Sequence, residues 1–192
     1  MTTRPATLAD LDRIAPLFDA YRQFYEQPAD LATATQFLHD RLTRGESQIL
    51  LAEDGAGQAI GFCQLYPVFC SIAAQPIYLL SDLFVTPDAR RSGAGRALLL
   101  AAERLSAEHG KLRMELTTAR TNHTAQAAYA ALGWERDEVY LTYTRQIGIP
   151  TEMVADTHSV TELKGLFGTP TCSVSIEEMN QDIVARGALG GR

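Results

Sequence analysis

The sequence predicts a mixed α/β fold in which a mixed central sheet carries helices on both faces. Three observations predict it. Apolar residues recur at helical spacing in some segments and at every second position in others, and the two patterns interleave along the chain. One run, "IYLLSDLFV" at 77–85, is almost wholly apolar, as a central strand covered on both faces should be. Finally, 192 residues with 46% hydrophobic content suffice for one domain with a sizeable core and are short for two.

The elements follow in order. Thr7 and Asp10 stand at capping-box spacing, with Asp in place of Glu, and Leu8, Leu11, Ile14, Leu17 and Phe18 then recur at helical spacing, predicting a helix over 8–25. Pro28 stops it, and a second helix is expected over 30–44, ending at Gly45. "SQILLAED" reads as a strand, "GAG" at 55–57 as a hairpin turn and "QAIGFCQLYPVF" as the returning strand, with Pro67 marking a bulge or an edge. After the central strand, a helix continues through Leu98, Leu99, Ala102 and Leu105 to a C-cap at Gly110. "KLRMELTT" alternates as a strand, "NHTAQAAYAALGW" as a short helix closed by Gly133, and "EVYLTYTRQ" as a final strand. The predicted order is strand, two helices, a hairpin, then strand–helix–strand–helix–strand. Past about 148 the composition turns polar and turn-rich, so 1–147 is expected to form the domain and 148–192 an extension.

Composition narrows the function. A net charge of −6 disfavours nucleic acid as a partner, which calls for clustered basic excess, and leaves room for a cationic small substrate. No segment resembles a secretory signal or a membrane span, which points to the cytoplasm and to no membrane partner. Cys63, Cys70 and Cys172 show no ligand spacing and read as small hydrophobes in a reducing compartment; His39, His109, His123 and His158 are scattered, so no metal is expected.

The chemistry concentrates in "VTPDARRSGAGRAL" (85–98), where a strand becomes a helix. Unpaired N–H groups and a partial positive charge at a helix start attract an anion, and Gly93 and Gly95 let it approach the backbone while Arg90, Arg91 and Arg96 add charge. The absence of Gly-Lys-Ser/Thr excludes a nucleotide P-loop, and Leu98 stands where a dinucleotide fold needs its third glycine. With "NHTAQAAYAALGW" and the element order, this stretch resembles the coenzyme A signature of the GCN5-related N-acetyltransferases over about residues 2–147. The resemblance implies acetyl-CoA as cosubstrate, its pyrophosphate on the turn from Arg90 through Arg91, Gly93, Ala94, Gly95 and Arg96. It also implies a splayed strand whose Leu83, Phe84 and Val85 bond pantetheine through their backbone, and a homodimer. Asn122 and Tyr129 match the family's later Asn and Tyr, one near the cofactor and one near the sulfur.

Acetyl transfer to an amine needs a neutral amine and a proton for the departing thiolate. Tyr129 is the candidate acid. Asp82, breaking an apolar run, is expected on one face with Leu80 and Phe84, either taking the amine proton through a water, holding a cationic substrate, or bonding a nearby backbone N–H. Glu115 is a second candidate, with a salt bridge to Arg113 held improbable and an external partner therefore needed. Tyr21, Tyr25 and Glu26, at the end of the first helix, are candidates for the acceptor pocket. The expected function is transfer of acetyl to a primary amine of a small molecule (polyamine, diamine or amino-acid-like), although Ser81 stands where the polyamine branch often has an acid or amide. The rival expectation is a CoA-binding sensor acting through a protein partner.

In the tail, Ser175 and Glu178 have capping-box spacing and Ile176, Met179 and Ile183 share a face, predicting a short amphipathic helix. With "ELKGLFG" it resembles the toxin-binding segment of AbrB/MazE-type antitoxins. Docking on its own domain or a dimer mate, binding another protein, or a fusion without bearing on catalysis all fit; an accessory interaction segment is favoured.

Overall fold

The computed structural model describes residues 1–147; the predicted tail helix and its antitoxin-like segment lie outside the described residues. Met1–Glu138 form one compact unit, which is the part described below. Its sheet has five strands in the order β1 (Thr2–Pro5), β2 (Gln48–Glu53), β3 (Ala59–Cys70), β4 (Gln75–Val85) and β5 (Met114–Leu116), antiparallel up to β4 and parallel between β4 and β5. The helices are α1 (Leu11–Phe24), α2 (Leu31–Thr43), α3 (Ala94–Glu108) and α4 (His123–Ala131).

Each face of the sheet has its own core, because β2 and β3 turn successive residues to opposite sides. Ile49, Leu51, Phe62 and Phe84 pack with Ile14, Phe18, Ala34 and Leu38 under α1 and α2. Leu50, Cys63, Leu65, Tyr78 and Leu80 pack with Leu98, Leu99, Ala102 and Leu105 of α3, and Tyr129 and Trp134 join that side. The mixed sheet with helices on both faces is therefore the architecture of this unit.

Local rules set the element ends. Thr7 and Asp10 pair as their spacing predicts, Asp10 Oδ2 accepting the Thr7 backbone N–H at 2.9 Å, but the first turn, Leu8–Asp10, is a 3-10 turn, so α1 begins at Leu11. Asp10 also accepts both Arg4 Nη atoms, at 2.9 and 2.6 Å, which ties β1 to the start of α1 and holds its carboxyl well below the usual range. Asp30 caps α2 by accepting from Thr33 N–H at 2.9 Å. Pro67 lies opposite Tyr78, and Tyr78 turns its own N–H to Arg113; the side of β3 that lacks a donor at Pro67 thus faces away from β4, beyond the end of β2.

Two expected strands differ. "KLRMELTT" contributes only Met114–Leu116, and "EVYLTYTRQ" forms no strand among the described residues. A strand is stabilised by its ladder, and β5, outermost in the sheet, offers only three laddered residues. Apolar alternation alone did not suffice to make one.

Candidate active site

β4 builds the site through two irregularities. Gln64 pairs with Asp82 while the next residue of β3, Leu65, pairs with Leu80, so Ser81 is an extra residue on β4, a β-bulge. A one-residue slip reverses the faces. Leu80 accordingly packs under α3, whereas Phe84 packs under α1 and α2. This corrects the expectation that Asp82 shares a face with Leu80 and Phe84: it shares one with Phe84 only.

The second irregularity is a splay. β4 pairs with β5 only at Tyr78, Leu79 and Leu80, so from Ser81 onward its β5 side has no neighbouring strand among the described residues. Thr86 N–H donates to Ile60 O on β3 at 2.9 Å, so by alternation Phe84 also turns its backbone to β3, while Leu83 and Val85 turn theirs to the open side. Phe84, expected with them, contributes a wall through its ring and no free backbone groups. Gly61 on β3 makes the close approach possible: a Cβ there would stand 2.6 Å from Phe84 O.

Beyond β4 the chain turns through a 3-10 turn, Pro87–Ala89, into α3. Gly93 is the N-cap at φ +90°, a left-handed backbone that favours glycine, and Arg91 adopts φ +64°. Gly93 has no side chain to cap α3, and the N–H groups of Ala94, Gly95 and Arg96 have no partners within the helix. At Gly95 a Cβ would meet nothing nearer than Val85 Cγ2 at 3.9 Å, and its φ is ordinary; protein packing does not require glycine there. Without a Cβ the backbone here is open to close approach, which fits a phosphate-bearing cosubstrate at this turn. Arg90 Nε donates to Val85 O at 3.4 Å and its guanidinium lies 5.8 Å from the Phe24 ring centre, joining the turn to the end of α1.

That end of α1 covers the other side of β4. Tyr21 packs edge-on against Phe62 and Phe84, with ring centres 5.9 and 6.2 Å away, and Tyr25 lies 5.1 Å from Tyr21. Asp82, buried beneath, has its carboxyl pushed up by loss of solvent, with the Tyr21 and Ser81 hydroxyls pulling the other way. Burial and the nearby Asp82 hold the Tyr21 phenol above its ordinary value. Tyr129 on α4 is half-buried against Trp134, 5.9 Å between ring centres; burial first, and then Tyr25, raises its phenol.

Asp82 thus acts on Tyr21, Tyr21 lies against Tyr25, and Tyr25 acts on Tyr129. Asn122 is placed as the N-cap of α4, accepting from Ala125 N–H at 3.2 Å. Glu26 is exposed just past α1 at φ +62°. Glu115 departs from expectation: Arg113 Nε and Nη2 donate to its Oε1 at 2.8 and 2.6 Å. Residues two apart on a strand share a face, and the arginine is long enough to span them, so no external partner is needed.

Sequence reasoning passed over two positions. Gly61, inside a strand pattern, carries the known mark of close backbone approach. Gln64, a polar residue in the run "IGFCQLY", is fully buried opposite Asp82.

Comparison with known proteins accords with this geometry. Residues 12–134 match the model of the acetyltransferase (GNAT) family. The chain is 45% identical over 143 residues to the uncharacterized N-acetyltransferase YhfO of Bacillus subtilis (strain 168), covering 74% of this chain and 95% of that protein. It is 31% identical over 101 residues to aminoglycoside N(6')-acetyltransferase type 1 of Klebsiella aerogenes, covering 52% of this chain and 66% of that one. The crystal structure of a probable acetyltransferase superposes with a TM-score of 0.73 at 37% identity, over 77% of this chain and 99% of the other.

Proposed function

The chain belongs to the acetyltransferase (GNAT) family and takes acetyl-CoA as cosubstrate, and from that premise we propose that it moves the acetyl group directly to a primary amine of a small cationic molecule, a diamine, polyamine or amino-acid-like amine. Asp82 carries this reading. It is a buried carboxylate, roofed by Tyr21 and flanked by Phe84, on the strand that has just lost its parallel neighbour. An acid walled by aromatic rings attracts a cation and, with its pKa raised by burial, holds a proton more readily than an exposed carboxylate does. An aminoglycoside acetyltransferase among the relatives agrees with an amine acceptor.

In this reading the amides of Ala94, Gly95 and Arg96 hold the pyrophosphate, with charge from Arg90, Arg91 and Arg96, and Leu83 and Val85 bond pantetheine. Acetyl-CoA supplies the acetyl group activated as a thioester. Asp82 takes a proton from the bound ammonium through a water, leaving a neutral amine to attack. As the C–N bond forms and the C–S bond breaks, Tyr129 gives its proton to the sulfur and takes up the one that the acylated nitrogen sheds, so the products are an amide and a free thiol. A raised phenol stays protonated until that moment. All of these residues lie between Tyr21 and Tyr129, which supports the reading of residues 1–147 as the acetyltransferase domain.

The test is thiol release from acetyl-CoA in the presence of diamines, polyamines, amino acids, aminoglycosides and a lysine-bearing peptide. Release with small cationic amines is expected. Tyr129→Phe should lower kcat by about 100-fold or more while leaving the KM for acetyl-CoA near wild type. Release with the peptide alone would refute the acceptor assignment.

A further inference from the structure

Gln64 is completely buried, and its amide is only half used. Nε2 donates to Ser47 Oγ at 2.8 Å, while no donor reaches Oε1 among the described residues. A buried amide oxygen without a partner is uncommon and asks for an explanation. Directly across the strand pair stands Asp82. The next pair along, Phe62 and Phe84, packs under α1, so by alternation Gln64 and Asp82 share that face. Side chains so placed have Cβ atoms about 4.5–5.5 Å apart.

An ionised carboxylate only accepts hydrogen bonds, so at rest Asp82 has no hydrogen to offer the unpartnered Gln64 Oε1 across the strand pair. A protonated carboxyl has one O–H to give. We propose that Gln64 is a positioning residue for acetyl transfer: once Asp82 has taken the amine proton, its O–H donates to Gln64 Oε1, completing a hydrogen-bonded row from Ser47 through Gln64 to Asp82. The inference rests on the reading of Asp82 as the base.

Other groups act on Asp82 from every side. Tyr21 reaches it from α1, Ser81 from β4 itself, and Tyr66 and Cys63 from β3 through their charge interaction with it; Arg41 and Glu46 act in turn on Tyr66. The Tyr21 and Ser81 hydroxyls favour the ionised form. Burial favours the protonated one, and Gln64 Oε1, which has only acceptor capacity to offer, would favour it too.

The experiment is the pH dependence of kcat with a saturating amine acceptor for the wild type, Asp82→Asn, Gln64→Met and Gln64→Glu, alongside a 13C NMR titration of the Asp82 carboxyl carbon. Gln64→Met keeps length and bulk while removing the acceptor, and should move the acidic limb, and the NMR midpoint, down by about one pH unit, the equivalent of one net hydrogen bond. Gln64→Glu places a second acid opposite Asp82 and should move both up. An unmoved midpoint in Gln64→Met, or an upward move as expected if the amide presented Nε2 to Asp82, overturns the inference while leaving Asp82 as the base. Survival of the acidic limb in Asp82→Asn overturns the base reading itself, and the inference with it.

Discussion

Gly95 and Asp82 each sacrifice something that the fold alone would not require. Gly95 is helical with ordinary φ and a Cβ there would make only an ordinary contact with Val85, so alanine should fit and favour the helix by about 0.5 kcal/mol. If the lack of a Cβ admits the pyrophosphate, Gly95→Ala will melt slightly higher than the wild type and yet raise the KM for acetyl-CoA by about tenfold or more. Melting curves and initial rates on one preparation decide it, and an unchanged KM would mean the glycine serves nothing in the cosubstrate site. Gly93 is the control, because at φ +90° alanine is strained whether or not a ligand binds. Asp82 is a carboxylate whose folded pKa lies above its unfolded value. Its burial therefore costs nothing at pH values below the unfolded pKa, about 3.9, and costs stability progressively as the pH rises through the folded pKa. Asp82→Asn should melt higher than the wild type at pH 7, converge with it toward pH 4, and lose at least about 100-fold in kcat. A lower melting temperature at pH 7 would show that the carboxylate is held for stability.

At the scale of elements, β3 and β4 must approach closely for the bulge and the splay to form. In Gly61→Ala, the new Cβ would lie 2.6 Å from Phe84 O and 3.2 Å from Val85 Cγ2, and backbone cannot yield as a flexible side chain does. A destabilisation of about 1–3 kcal/mol is expected, together with a raised KM for acetyl-CoA, because β4 moves where Val85 faces the open side. Equal loss of stability with an unchanged KM would separate this contact from the site. Most elements were legible because their signals are local: the Thr7–Asp10 pairing, the stop at Pro28, the apolar run 77–85 and the glycine at 93 each specify structure within a few residues. The bulge at Ser81 was not, since a strand apolar on both faces hides a one-residue slip; the error about Leu80 follows from it. Nor was the fate of "EVYLTYTRQ", because a strand depends on a distant neighbour that the segment itself does not encode. Gln64 escaped notice for a related reason. Its meaning comes from standing opposite Asp82, 18 positions further along the chain.

Over the whole molecule, the roles proposed for acetyl-CoA draw on β4, the turn after it, α3 and α4, elements that otherwise meet chiefly through the core under α3. A ligand gripping all of them should behave as a strut, binding the native state and not the unfolded chain. At a concentration 100 times its Kd, such a ligand stabilises by about 2.7 kcal/mol. For a chain of this size each kcal/mol is worth about 2–4 °C, so acetyl-CoA should raise Tm by roughly 5–10 °C. The anion site adds a second signature. If the helix amides and Arg90, Arg91 and Arg96 hold the pyrophosphate, the shift at fixed acetyl-CoA should shrink with added salt, because exposed charges are screened within about 10 Å at 0.1 M. An amine acceptor should show the same salt sensitivity toward Asp82 only weakly, that carboxylate being buried. A thermal shift indifferent to salt would move the energy of binding from the turn to the pantetheine slot along Leu83 and Val85, and Gly95→Ala would then be expected to leave KM unchanged.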